Sequence, residues 1–320
     1  MVRIGILGTA AIARPFFGAP LHSASIAAIA SRSASQAAAF AKEFGIPAHY
    51  GSYDELLADP SIDAVYLPLP PALHAEWTIR AARAGKHVLL EKPAAPSSSD
   101  VERMIEACEA ARVVYMEAFM YRFKAIHRHV RQLVAGGTLG HLRYIDFSWC
   151  FNIEALKRSL FRLDPAHGGG ALNDLGIYGV DFLRYLGMPV PTVVHATIER
   201  HRGDGVDSFA HVVLRSGPTL MALTAGFTCD ANYYTLGGEK GSVYVSGSLA
   251  GRVVPNAVHM HLFENDQRSE EVFPAENPYV AEMDHFAQCI ERNMRPESNG
   301  EGSLSNIKVL EEIKRAAGYH

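Results

Sequence analysis

The first third of the chain alternates short apolar runs with helical segments, and this alternation limits its possible folds more than any other feature. Val2 to Leu7, Ser25 to Ala30, Asp63 to Leu67, His87 to Leu90 and Val113 to Glu117 read as strands. Between them, Ala10 to Phe17, Ala34 to Phe40, Asp54 to Leu57, Ala72 to Ala84 and Asp100 to Ala111 read as helices. Parallel strands need a crossover connection, and helical crossovers cover both faces of the sheet. Strands without polar alternation, separated by helices, therefore predict βαβ units and a doubly wound parallel sheet.

After about residue 118 the pattern changes. His141 to Cys150, Val193 to Glu199, Asp207 to Leu214, Thr219 to Phe227, Ser242 to Ser246, Val258 to Phe263 and Glu270 to Phe273 read as strands, and several alternate apolar with polar residues. Arg202 to Gly205 and Gly237 to Gly241 carry turn chemistry. Helices are expected at Gly170 to Leu186, Tyr279 to Glu291 and Leu304 to Ala317. This predicts a second, α+β domain with a large, mostly antiparallel open sheet. The chain of 320 residues has room for two cores. The expected division is 1–118 and 119–320, so the fold class is α/β.

Several partners are excluded by expectation. The net charge is -4 and no basic run stands out, which argues against nucleic acid. No apolar stretch approaches the roughly 18 residues of a membrane span. The N-terminus reads directly as a strand rather than a secretion signal. Cys108, Cys150, Cys229 and Cys289 are scattered, with no CxxC pair, and suit reduced thiols in the cytoplasm. His127-x-His129 and His259-x-His261 lack a third ligand nearby, so no metal site is expected.

The turn after the first strand carries a cofactor signal. Gly8-Thr9-Ala10-Ala11-Ile12-Ala13 stands where a GxGxxG/A fingerprint binds a dinucleotide pyrophosphate. Alanines replace the later glycines but leave little bulk. A strand–helix turn without a ligand is the competing reading. At the end of the second strand, an NAD enzyme usually carries an acid for the ribose 2′-OH. Here Ser31-Arg32-Ser33 offers a hydroxyl and a guanidinium, which suit a 2′-phosphate. NADP is the expected cofactor, with NAD as the alternative.

Two further motifs carry chemistry. Glu91-Lys92-Pro93 closes a strand at the carboxyl end of the parallel sheet, where such folds bind ligands. A lysine there sets a cation beside the reactive end of a nicotinamide. Asp174 and Tyr178 are four apart behind the run Gly168-Gly169-Gly170, which lets backbone approach a ligand closely. A phenol has an ordinary pKa near 10, so acid–base work by Tyr178 calls for a neighbouring cation, and Lys92 is the natural candidate.

Taken together, these segments resemble the Gfo/Idh/MocA family, named for glucose–fructose oxidoreductase and inositol dehydrogenase. GTAAIA (Gly8 to Ala13), IAAIASRS (Ile26 to Ser33), DAVYLPLPPALHAEW (Asp63 to Trp77) and AGKHVLLEKP (Ala84 to Pro93) carry the resemblance in the first part. MEAFMYRF (Met116 to Phe123), GGGALNDLGIYGVDFL (Gly168 to Leu183) and ENPYVAEMDHFAQCI (Glu276 to Ile290) carry it in the rest. The branch containing dimeric dihydrodiol dehydrogenase and D-xylose dehydrogenase is the most similar. The resemblance implies an N-terminal Rossmann domain and hydride transfer between NADP and a sugar or cyclic-alcohol carbon. It implies catalytic roles for Lys92, Tyr178 and Asp174, a Lys92–Pro93 bond that is often cis in relatives, and a homodimer or larger homo-oligomer. It also brings Leu69, Pro70, His74 and Glu91 into the cofactor site beside Gly8, Thr9, Ala10, Ala11, Ile12, Ser31, Arg32 and Lys92.

The departures concern the substrate. Lys124-Ala125 stands where relatives often have His-Pro, and Asn173 replaces a commonly apolar residue. Candidates for the substrate pocket are Tyr121, Arg122, Phe151, Arg158, Arg162 and Asn173. The competing functions are a ketoreductase for a nucleotide-linked deoxysugar and a non-catalytic NADP-binding sensor. A sensor has no use for a proton relay.

Overall fold

A computed structural model describes residues 1–155, 160–203, 205–247, 249 and 255–319. Two compact units emerge. Unit 1 comprises Met1–Phe119 and Tyr279–Leu304, and unit 2 comprises Met120–Pro278 and Ser305–His320. The span 119–320 is thus interrupted, because Tyr279–Leu304 packs with the N-terminal residues.

Unit 1 is built on six parallel strands: β1 (Val2–Leu7), β2 (Ala24–Ala30), β3 (Ala48–Tyr50), β4 (Ala64–Leu67), β5 (His87–Glu91) and β6 (Tyr115–Ala118). Their order is β3-β2-β1-β4-β5-β6, the order of a dinucleotide-binding Rossmann sheet. The sheet core consists of the apolar runs read from the sequence. Ile4, Ile6, Leu7, all four residues of β4, and Val88 to Leu90 are fully buried. Its helices are α1 (Ala34–Phe44), α2 (Tyr53–Ala58), α3 (His74–Arg83) and α4 (Ser98–Ala111). Serines cap three of them. Ser33, Ser52 and Ser97 each accept from a backbone N–H in the first turn of α1, α2 and α4 respectively.

One expected helix differs. Ala11–Phe17 is a 3-10 helix of seven residues containing Pro15. A proline inside so short a segment removes a donor and stops an α-helix from growing.

Unit 2 holds an eight-stranded sheet of β7 (Leu142–Cys150), β8 (Thr192–Arg200), β9 (Asp207–Ser216), β10 (Thr219–Gly226), β11 (Ala231–Gly238), β12 (Gly241–Ser246), β13 (Asn256–Leu262) and β14 (Gln267–Phe273). The order is β14-β13-β12-β11-β7-β10-β9-β8. Every neighbouring pair is antiparallel except β7 with β10. Phe147, Leu214, Met221, Leu223, Tyr234, Leu236 and Val245 are buried on one face. On the other face Tyr144, Leu220 and Tyr244 are exposed. That is the alternation expected of a sheet packed on one side. Helix α5 (Ala125–Ala135) precedes the sheet in sequence, and α6 (Ile177–Tyr185) lies between β7 and β8 along the chain. The last helices are α7 (Pro278–Glu291) and α8 (Gly300–Ala316).

The helix expected over Gly170 to Leu186 is not uniform. Leu172–Gly176 forms a π turn that runs into α6. No described helix is long and apolar enough to cross a membrane.

Candidate functional site

In unit 1 the chain segments that follow β1, β2 and β4 converge at the carboxyl ends of the strands. β1 and β4 are neighbours, and the strand order reverses between them, which makes this the topological switch point where open α/β sheets bind ligands. A pocket of about 470 Å³ lies there. Gly8, Thr9, Ala10, Ser31, Arg32, Leu69 and Pro70, all expected to hold the cofactor, line it. Ser33, Gln36, Tyr53 and Pro68 complete the lining, and no acidic side chain takes part. The Arg32 guanidinium is an electrostatic neighbour of the Tyr53 hydroxyl. Burial raises the pKa of that phenol, and the guanidinium charge opposes the rise. Ala11 and Ile12 begin the 3-10 helix and do not line the pocket.

The sequence reading missed Gln36 and Tyr53. Gln36 had a signal, since Ser33-x-x-Gln36 has the spacing of a capping box, and the Gln36 N–H donates to Ser33 Oγ. Tyr53 had none. It reaches the pocket because α2 starts just after the three-residue strand β3, and its ring packs edge-on against Trp77 at 4.8 Å.

Lys92 and its neighbours sit at the end of β5 and lie outside that lining. The Lys92–Pro93 bond is cis, and Lys92 is partly exposed. The backbone around it is fastened on both sides. Before it, Glu91 accepts a 2.6 Å hydrogen bond from the Tyr66 hydroxyl. After it, the Ala94 N–H donates to Glu117 Oε1 at 2.9 Å.

His74 is the buckle of this region. Its ring is fully buried, with Nδ1 2.9 Å from Pro93 O and 3.2 Å from Ala94 O, and Nε2 2.7 Å from Leu69 O. It therefore joins the loop after β4 to the loop that carries Lys92. Burial drives its pKa down to about 4, with help from the Lys92 charge and against the pull of the three carbonyls.

The remaining candidates are in unit 2. Tyr178 is the second residue of α6 and is buried. Its ring lies 4.5 Å from that of Trp149 and 5.8 Å from that of Tyr121. Its hydroxyl donates to Met120 Sδ at 3.4 Å. Asp174 sits in the π turn and accepts a 2.7 Å charge-assisted hydrogen bond from Arg162 Nε. Such turns inside helices are frequent at functional sites.

The glycine run before this turn approaches its own chain closely. A side chain on Gly170, whose φ is +119°, would collide with the Asp207 carboxylate, and one on Gly169 would collide with the Arg162 carbonyl. Asp207 accepts from the Leu172 N–H at 2.5 Å, at the start of the π turn. Burial pushes the Asp207 carboxyl up to about 6, against those hydrogen bonds and the Lys314 charge. Asn173 belongs to the same knot. Its Nδ2 donates to Gly168 O and Gly169 O at 3.0 and 3.2 Å, and its Oδ1 accepts from Lys314 Nζ at 2.9 Å.

Tyr121 and Arg122 turn toward Asp181, a buried acid absent from the sequence reading. Asp181 accepts from the Tyr121 hydroxyl at 2.7 Å, from Arg122 Nε and Nη2 at 2.8 and 2.6 Å, and from Asn306 Nδ2 at 3.0 Å. Burying a carboxyl group without such a set of donors would be costly. Phe151 is buried with its ring 5.4 Å from that of Phe227. Arg158 lies outside the described residues.

Comparison with known proteins gives this arrangement a context. Residues 2–119 match the family described as "Oxidoreductase family, NAD-binding Rossmann fold", and residues 127–246 match the "GFO/IDH/MocA C-terminal domain". The chain is 37% identical to D-xylose 1-dehydrogenase (NADP(+)) 2 of Haloferax volcanii, over 98% of this chain and 96% of that one. Among solved structures, the aldose-aldose oxidoreductase of Caulobacter crescentus, complexed with glycerol, superposes with a TM-score of 0.90 at 30% identity, covering 99% of this chain and 97% of that one. A 3-ketoreductase from Actinomadura kijaniata, in complex with NADP and TDP-benzene, superposes with a TM-score of 0.88 at 28% identity, covering 98% and 97%.

Proposed function

Because the chain belongs to the Gfo/Idh/MocA family of oxidoreductases, we propose that it is an NADP-dependent enzyme that moves a hydride between the nicotinamide and a hydroxyl or carbonyl carbon of a sugar or cyclic polyol. The observation that carries this reading is the pocket at the switch point of unit 1, where Ser31 and Arg32 stand at the end of β2 and no acid lines the wall. Arg32 and Ser31 suit a 2′-phosphate, which a carboxylate there would repel. Gly8, Thr9 and Ala10 would border the pyrophosphate, and Leu69 and Pro70 would flank the cofactor beyond it. The bound nicotinamide would supply or accept the hydride.

The chain's own residues would handle the proton. In reduction, the Tyr178 hydroxyl gives its proton to the carbonyl oxygen as the carbon gains hydride. In oxidation, Tyr178 takes the proton back. The Lys92 side chain, at the carboxyl end of β5, would supply a cation for the developing alkoxide. Asp174, held by Arg162, positions the substrate hydroxyls.

The D-xylose dehydrogenase and aldose oxidoreductase relatives support a sugar substrate. The NADP-bound 3-ketoreductase supports a second reading, reduction of a ketone on a nucleotide-linked deoxysugar. A screen of absorbance at 340 nm with NADP or NADPH tests both. Aldoses, inositols and dihydrodiols would be offered for oxidation, and ketosugar nucleotides for reduction. Turnover of an aldose or polyol is the expected result. Turnover of ketosugar nucleotides alone would favour the second reading, and silence across the panel would count against both.

A further inference from the structure

Two thiols for which the proposed reaction has no use stand at one end of the eight-stranded sheet, one on β7 and one in the link from β10 to β11. Cys150 is the last residue of β7 and lies between Gly226, the last residue of β10, and Ala231, the first of β11. The link from Phe227 to Asp230 joins those two flanking strands. It must therefore pass over the end of β7, and Cys229 lies within it. The Cys229 thiol is an electrostatic neighbour of the Cys150 thiol and adds to the effect of burial in raising its pKa. The Cys150 Sγ sits close under this crossing, only 3.3 Å from where a Cβ on Gly226 would stand. Cys150 is buried and Cys229 is exposed.

We propose that Cys150 and Cys229 form a thiol–disulfide exchange site whose oxidant is a low-molecular-weight disulfide. Cys229, open to solvent, reacts first. It gives up its proton and its thiolate attacks one sulfur of the small disulfide. That S–S bond breaks, and the first small thiolate leaves and takes up a proton. A mixed disulfide remains on Cys229. Cys150 then loses its proton and attacks Cys229 Sγ. The mixed S–S bond breaks, and the second small thiolate leaves as a thiol. Two protein thiols are oxidised to one disulfide, and one small disulfide is reduced to two thiols.

The division of labour follows from burial, which pushes the Cys150 thiol up to about 12. Cys150 is a poor first attacker and acts only when an activated sulfur is held against it. The bond would pin the end of β7 to the link above it. Trp149 precedes Cys150 and packs 4.5 Å from Tyr178, so the crosslink borders the residues around that phenol. Only this last consequence rests on the catalytic reading of Tyr178.

The test uses the full chain, reduced and then treated with oxidised glutathione, and reads intact mass and alkylation rather than turnover. The expected product is lighter than the reduced chain by two hydrogens. Two of its four cysteines accept alkylating reagent, and peptide mapping joins Cys150 to Cys229. Cys150→Ser should stop at one glutathione on Cys229. Cys229→Ser, a change at an exposed position, should keep its remaining thiols reduced. The proposal is overturned if all four thiols of the treated wild type alkylate. It is also overturned if the wild type stops at the mixed disulfide, or if Cys229 pairs with a cysteine other than Cys150.

Discussion

At the scale of single residues, the proposal assigns separate tasks to Tyr178, Lys92 and Arg32. A general acid–base group typically contributes roughly 10²–10⁴-fold to turnover. Tyr178→Phe should lower kcat by about that factor and leave NADPH affinity near normal. Lys92→Ala should be at least as damaging, since a charge is lost as well as a donor. Steady-state kinetics, with cofactor affinity measured separately by fluorescence, checks both. A Tyr178→Phe enzyme that keeps most of its kcat while chemistry limits the rate would make the phenol structural. Arg32→Ala should weaken NADP binding by about 1–3 kcal/mol, the scale of a charge-assisted hydrogen bond, and leave NAD binding nearly unchanged. Equal losses for the two cofactors would assign Arg32 to stacking on adenine or to holding Tyr53.

At the scale of elements, what the sequence revealed depended on how local the determining physics was. The strands β1, β4 and β5 were legible because their buried runs are continuous. The pocket residues Gly8, Ser31 and Arg32 were legible because in a parallel sheet they follow strand ends directly, whereas Leu69 and Pro70 entered through the family resemblance. β3 escaped notice because it has three residues and none is fully buried. β11 escaped because it ends in Gly237-Gly238, which reads as a turn. In fact a side chain at Gly237 would collide with the Tyr144 ring on the neighbouring strand, so glycine there marks a close approach within the sheet. The Asp181 and Asp207 networks were invisible because each acid gathers partners from distant parts of the chain. The glycine run before Tyr178 was legible as a special backbone, but what it approaches was not. Gly170→Ala should therefore be destabilising by more than about 2 kcal/mol, since strain at φ +119° adds to the clash with Asp207. Thermal unfolding of the variant checks this, and an unchanged midpoint would mean that the loop relaxes at no cost.

At the scale of the whole molecule, two expectations concern measurable bulk behaviour. Tyr144, Leu220 and Tyr244 are exposed on the open face of the eight-stranded sheet, and apolar patches of this kind mark interfaces. We expect a homodimer or larger assembly, and a sedimentation mass equal to the 34.9 kDa chain at micromolar concentration would reject it. Acid should weaken the fold through His74, whose pKa falls from 6.5 to about 4 on folding. Below pH 6.5 the unfolded chain takes the proton first, so this contribution is complete above that pH and drains away down to about 4. The linkage is worth up to about 3 kcal/mol. Unfolding free energies of the wild type and of His74→Gln, compared from pH 7 to 4, should diverge by about that amount over the range, and parallel curves would refute the assignment. A further consequence follows from the chain's return to unit 1 after β14. β6 is an edge strand of its sheet, and Ser298 covers it, accepting from the Glu117 N–H through its carbonyl and donating through its hydroxyl to Glu117 O. Ribosomes make Glu117 long before Ser298. The nascent chain therefore carries an uncovered, pairing-competent edge throughout the synthesis of β7 to β14, the interval in which a holding chaperone has the most to protect.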